Sequence, residues 1–321
     1  MRLKHPNGRI VHLGYEIIPR PARRVAEVVA QLDTYAAVRT MIGADSLGVS
    51  LWLPPALAAA LATGGRIRTR LRAELDARRL QVVTLSGLSF DEETGSPFAE
   101  GGGEPESGST SEPQPGWDDP HRREYTLDLA RVLVDLLPDE TVRGAIGTIG
   151  LARQGHWDEE TAKTGAGILR RLSGGLADIA WQTGRAVRVG FHTADGYVLD
   201  SPEETVAALT RLDKDRLGVR LDLEHVTRTW DDPVGGLATV IDAGLSIIEV
   251  RLTAAPGPRL DAWRASLAAL LGPNGPQTEY LTLAAHVQDP SAEQIASDLA
   301  YLRAELAALG LAPENEPCPA R

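Results

Sequence analysis

Eight short β-branched runs, each followed by a longer stretch of helical periodicity, predict an α/β fold of the (β/α)8 barrel class. The chain has 321 residues, the size that such a barrel needs. No Gly-x-Gly-x-x-Gly follows any of the runs, which removes the phosphate turn of a doubly wound open sheet, the competing arrangement.

Residues 10–15 read as the first strand and 19–40 as its helix, with Val25, Val28, Val29 and Leu32 at helical spacing. Residues 46–53 are the second strand and 57–79 its helix. The third strand, 80–86, is followed by an insertion and then by helix 119–137, where Pro138 marks the stop. Strand four, 142–149, precedes a long amphipathic stretch at 158–182. Strand five, 186–192, precedes 201–212, in which Ser201 and Glu204 form a capping box and Pro202 takes a favoured first-turn position. Strand six, 217–223, is paired with helix 233–243, and strand seven, 246–252, with 260–271. Strand eight, 280–286, leads into helix 291–308.

The insertion, residues 87–116, is rich in Gly, Ser, Pro and Glu and holds seven acids but no Lys or Arg. Its composition predicts a solvated, flexible segment, with a lid over an active site as the alternative. The predicted organisation is one barrel over 1–312, this insertion within it, and a loose tail at 313–321. There are 33 Lys and Arg against 44 Asp and Glu, a net charge of −11; without the seven acids of the insertion the remainder stands at −4. A balance of that sign argues against nucleic acid as a partner. Cys318 is the only cysteine, so neither a disulfide framework nor a cysteine metal cluster is expected, and a reducing compartment fits. No apolar stretch reads as a signal peptide or membrane span, so a cytoplasmic protein without membrane insertion is expected. Association into an oligomer is left open.

Function in a barrel gathers at the C-terminal ends of the strands, so polar residues there are informative. Strand one ends in Tyr15 and Glu16, strand five in His192, strand six in Asp222, Glu224 and His225; strand seven carries Glu249 and Arg251; strand eight ends in His286. Asp222-x-x-His225 is a plausible half-site for a divalent ion, with His192 and His286 as further ligands and Mn, Zn, Co or Mg as the metal. The alternative is that Asp222 caps the next turn and His225 bonds a backbone carbonyl. Glu249 and Arg251 lie two apart and share a strand face, where they are expected to pair with each other or to leave Arg251 for an anionic group of a substrate. No Gly-x-Ser-x-Gly elbow and no catalytic cysteine context occurs, which argues against covalent acyl chemistry.

Several stretches resemble a known family. Tyr15 with Pro19, Trp117-Asp118 with Arg122 and Tyr125-Thr126-Leu127, Leu136-Leu137-Pro138, Gly144-Ala145-Ile146-Gly147-Thr148-Ile149-Gly150, Ser201-Pro202-Glu203-Glu204 and Leu217-Gly218-Val219-Arg220-Leu221-Asp222 with His225 are similar to the EboE-type proteins of metabolite-traffic gene clusters. Those belong to the xylose isomerase-like barrels, which include sugar isomerases, epimerases and dehydratases. The resemblance implies a metal set of Glu on strand five, Asp-x-x-His after strand six, His on strand seven and Glu on strand eight. Asp222 and His225 match it residue for residue, whereas the other strands offer His192, Glu249 with Arg251, and His286.

The expectation is an isomerase, epimerase or lyase acting on a small polyhydroxylated or phosphorylated metabolite of specialised metabolism. Asp222, His225, His192 and His286 would hold the metal, Glu249 or Glu224 would move the proton, and Tyr15, Glu16 and Arg251 would bind substrate. Two alternatives stand beside it: a catalytically silent metabolite-binding barrel, and a metal-free enzyme using His192 and Glu249 as its acid–base pair.

Overall fold

The computed structural model describes residues 1–17, 24–87, 116–254, 257–285 and 290–314. The segment 88–115 of the predicted insertion, the start of the first predicted helix, His286 and residues 315–321 of the predicted tail lie outside them.

Eight parallel strands close into a barrel: β1 (Ile10–Glu16), β2 (Leu47–Trp52), β3 (Leu80–Gly87), β4 (Arg143–Thr148), β5 (Ala186–His192), β6 (Leu217–Asp222), β7 (Ile247–Thr253) and β8 (Tyr280–Ala284). Each pairs with its neighbour in sequence, and β1 pairs back onto β8, with Leu13 opposite Leu281. The ring of helices comprises α1 (Val25–Met41), α2 (Pro55–Thr63), α3 (Gly65–Ala77), α4 (Pro120–Leu136), α5 (Glu159–Thr183), α6 (Pro202–Leu209), α7 (Leu223–Thr229), α8 (Pro233–Asp242), α9 (Leu260–Leu270) and α10 (Ala292–Ala308).

Local chemistry explains most helix boundaries. The Ser201 hydroxyl accepts from the Glu204 N–H, and the Glu204 carboxylate reaches back to the Ser201 N–H, as the spacing predicts. Asp158 and Asp232 cap α5 and α8, and Gly184 ends α5 with φ of +70°, a conformation open to glycine at little cost. The predicted helix 57–79 is two helices, because Gly64 and Gly65 interrupt it. The predicted elements do not include α7, whose N-cap is Asp222, so the alternative reading of that residue as the cap of the next turn holds. Nor do they include two short strands: Arg2–Lys4 runs antiparallel to β1 and to Ala312–Pro313, so Pro313 belongs to the barrel's lower rim and not to a loose tail.

The two faces of each strand do different work. Outward residues, among them Val219, Leu221, Ile248, Val250, Leu281 and Leu283, are buried against the helices. Each such side chain contributes about 1.5–3 kcal/mol on removal from water. Barrel interiors are commonly filled by branched apolar residues. Here many inward positions are small, polar or charged: Gly147 on β4, Gly190 and His192 on β5, Arg220 and Asp222 on β6, Glu249 and Arg251 on β7.

Candidate functional site

Arg220 sits at the centre of the upper barrel with its side chain 1% exposed. Its Nη2 donates to Glu16 Oε1 at 3.1 Å, its Nη1 donates to His192 Nδ1 at 3.2 Å, and its Nε lies 3.1 Å from Glu249 Oε2. Glu249 Oε1 accepts from the Thr282 hydroxyl at 2.5 Å. A buried guanidinium is tolerated when carboxylates and hydrogen bonds surround it in this way. Glycines make the room: a Cβ on Gly147 would lie 2.6 Å from Arg220 Cδ, and one on Gly190 3.0 Å from Arg220 Cβ.

Arg251 lies one layer higher, towards the C-terminal mouth. Its Nε donates to Glu16 Oε2 at 3.1 Å and its Nη1 to Asp222 Oδ2 at 2.7 Å, while its side chain keeps 15% of its surface exposed. Glu16 therefore bridges two arginines. The expected Glu249–Arg251 pair does not form. Residues two apart on a strand project to successive layers, whereas their registered neighbours across the ladder are nearer: Arg220 faces Glu249 and Asp222 faces Arg251.

The electrostatics follow from this cage. Burial is the largest single influence and would raise the Asp222 carboxyl, but Arg251, His192 and Arg220 together outweigh it and hold the group down to about 2. Glu16 is likewise pulled below the usual carboxylate range by Arg220 and Arg251 against the opposing effect of burial. Burial and then the Arg220 charge push His192 well below the ordinary imidazole range, so it is neutral. Since a guanidinium only donates, His192 Nδ1 is its acceptor and the ring proton resides on Nε2, 3.7 Å from Asp222 Oδ2.

Five of the predicted site residues are thus brought together: Glu16, His192, Asp222, Glu249 and Arg251. The others are not. Tyr15 alternates with the inward Glu16 and so faces the helices, fully buried, 5.8 Å from the Tyr35 ring. Glu224 is exposed in the first turn of α7, at the rim. His225 turns away from the barrel axis: its Nε2 lies 3.1 Å from the Asp200 carbonyl oxygen, and its Nδ1 3.3 Å from Asp195 Oδ1. Asp222 caps α7 by accepting from the Glu224 and His225 N–H groups. His286 lies outside the described residues.

A divalent ion on the barrel axis does not fit these residues. Asp222 Oδ2 already accepts from Arg251, His192 Nδ1 from Arg220, and an ion about 2.0–2.2 Å from the Asp222 carboxylate would press against the Arg251 guanidinium. Away from the axis, Asp195, Asp200 and His225 are, among the described residues, the one group whose donor atoms all lie close enough to share a metal ion. The reading of the sequence missed Arg220, Thr282, Asp195 and Asp200. Arg220 carried a usable signal, since it stands two residues before Asp222 on the same strand face; Asp195 and Asp200 sit in a loop where no periodicity points to them.

No protein-family model matches the sequence, and no curated protein is similar enough to match it. Solved structures do match in fold. D-psicose 3-epimerase from Clostridium cellulolyticum H10, solved with D-tagatose, superposes with a TM-score of 0.58 and 16% identity, over 92% of this chain and 99% of that one. The 3-keto-D-glucoside 4-epimerase of E. coli gives 0.53 and 14% over 92% and 99%. A xylose isomerase-like barrel protein from Mycobacterium smegmatis, in complex with magnesium, gives 0.52 and 17% over 95% and 94%. The architecture, a closed (β/α)8 barrel, is the one these structures share. No helix among the described residues is long and apolar enough to cross a membrane.

Proposed function

We propose that the barrel mouth binds a small polyhydroxylated, sugar-like metabolite and isomerises or epimerises it beside a carbonyl, with Arg251 in place of an axial metal as the electrophile. The observation that carries this reading is the state of Arg251. Two carboxylates fix its guanidinium, its side chain reaches solvent at the mouth, and three of its five N–H donors have no partner among the described residues. Such a group is preorganised to hold a carbonyl oxygen as it gains negative charge. The fold of sugar epimerases supports the substrate class.

In the proposed step a base removes the proton on the carbon next to the carbonyl, and the electron pair moves onto the oxygen as an enolate held by Arg251. Return of the proton to the same carbon on the other face gives an epimer; its delivery to the former carbonyl carbon, with the hydroxyl proton of the adjacent carbon passing to the enolate oxygen, gives an isomer. No redox partner is required. Glu224, on the rim, is the carboxylate proposed to move the proton. His192 and Glu249 are ill suited to that task, because both are buried and already bonded to Arg220.

A second reading, a metabolite-binding barrel without turnover in keeping with the metabolite-traffic resemblance, is favoured by that same engagement of the central groups. Proton NMR in deuterium oxide with a panel of ketoses, aldoses and their phosphates separates the two. Deuterium entering the carbon beside the carbonyl, and lost in Arg251→Met, supports the enzyme. Ligand-induced stabilisation without exchange supports the carrier. Neither effect with any member of the panel overturns both.

A further inference from the structure

We propose that Asp195, Asp200 and His225 form a divalent-cation site at the rim of the barrel, separate from the arginine cage and independent of the reaction proposed for it. The three side chains come from two elements, the loop between β5 and α6 and the helix α7, and their donor atoms lie within 4.8 Å of one another. Carboxylates near an imidazole are common without a metal, so the argument rests on how these ones are oriented.

Each carboxylate has one oxygen held elsewhere and the other turned to the ring. Asp195 Oδ2 accepts from Arg228 Nη2 at 2.7 Å, and Asp200 Oδ2 accepts from the Gly196 N–H at 3.1 Å. The two Oδ1 atoms face His225, that of Asp195 3.3 Å from Nδ1 and that of Asp200 3.3 Å from Nε2. The ring itself is 5% exposed and oriented by its other contacts: Nε2 lies 3.1 Å from the Asp200 carbonyl oxygen and 3.4 Å from the Thr229 hydroxyl. That carbonyl can only accept, which places the ring proton on Nε2.

In the neutral ring Nδ1 is then a buried lone pair without a hydrogen-bond partner, 3.3 Å from Asp195 Oδ1. Two acceptors facing each other without a proton repel, and a cation coordinated by both turns that repulsion into a bond. The Nε2–H donated to a backbone carbonyl is the support that metal-ligating histidines usually have. One imidazole with two carboxylates suits a borderline ion such as Mn, Zn or Co. Asp195 is exposed, so the ion would keep open positions towards solvent, and in place it would tie the loop 193–200 to α7.

The test uses the full chain stripped with chelator and titrated with Mn2+ alone, following the free-ion EPR signal and the melting temperature. The expected result is one saturable Mn2+ per chain, bound at least about tenfold more weakly in Asp195→Asn and in His225→Gln, and unchanged in Arg251→Lys, which lies in the cage. Asp195→Asn alters an exposed side chain and leaves the fold intact, so its loss of binding cannot be assigned to unfolding. Absence of saturable binding overturns the proposal, as does affinity unchanged in Asp195→Asn. So do His225 ring NMR signals that a diamagnetic ion, Zn2+, leaves unmoved.

Discussion

The two faces of β6 and β7 are a residue apart in sequence and opposite in chemistry. Outwards they present Val219, Leu221, Ile248 and Val250 to the helices; inwards, Arg220, Asp222, Glu249 and Arg251. The outer face gains stability from each side chain separately, through area removed from water. The inner face is stable only as a set, because every charge depends on a partner from another strand. One run of residues can thus supply both a core and a chemical site, but the two fail in different ways.

The sharpest way to break the inner set is Arg220→Met, which leaves Glu16 and Glu249 without their shared partner. It should cost about 3–5 kcal/mol in chemical denaturation and abolish ligand binding. Leu221→Ala, the adjacent residue on the outer face, should cost about 2–5 kcal/mol through its cavity yet leave ligand affinity unaltered in calorimetry. Equal affinity loss in both variants would show that the faces are not separable. Gly147→Ala should cost about 1–3 kcal/mol, since the added methyl meets the Arg220 stem at 2.6 Å. A crystal structure of that variant with Arg220 unmoved would contradict the packing described here.

Acid titration offers the mildest perturbation. His192 and His12 are neutral in the fold, the latter lowered to about 4 by burial and then by the N-terminal ammonium and Arg2. The unfolded chain takes up their protons below about 6.5 while the folded chain resists them, so stability falls as pH drops from about 6.5 towards 4. Asp222 and Glu16 have depressed carboxyls, and their contribution is present above the unfolded values of 3.8 and 4.5 and lost as pH falls through the folded ones, for Asp222 to about 2. Melting temperatures should decline in these two stages, with His12→Gln shrinking the first. A flat profile down to pH 4 would exclude the neutral-histidine account.

The barrel itself was legible because short β-branched runs alternate with helical ones, and the interruption of one helix is explained by Gly64 and Gly65. Asp222 at the end of β6 was legible as a polar strand terminus. Its capping of the next turn, with a backbone carbonyl beside His225, was the alternative the sequence offered. The ion pairs were not legible: Glu16 and Arg220 are 204 residues apart, and their meeting depends on closure of the ring rather than on spacing. His225 was expected to swing towards the axis; the loop 193–200 supplies its partners instead, and loop conformation leaves little trace in periodicity. Tyr15 and Glu16 could not both face the mouth, a conclusion that strand alternation alone would have allowed.

The span between Glu16 and Arg220 also bears on how the chain reaches its native state. Glu16 belongs to the first quarter-barrel, Arg220 to the third, and Glu249 and Arg251 to the last. A half-barrel made of β1–β4 would leave the Glu16 carboxylate with neither arginine to meet it, and one made of β5–β8 would hold two guanidiniums short of a carboxylate. Neither half is a comfortable resting point on the way to the fold. The ion cage therefore acts as a penalty on partial assembly, making ring closure the event that releases its electrostatic strain and coupling the two halves into one cooperative unit.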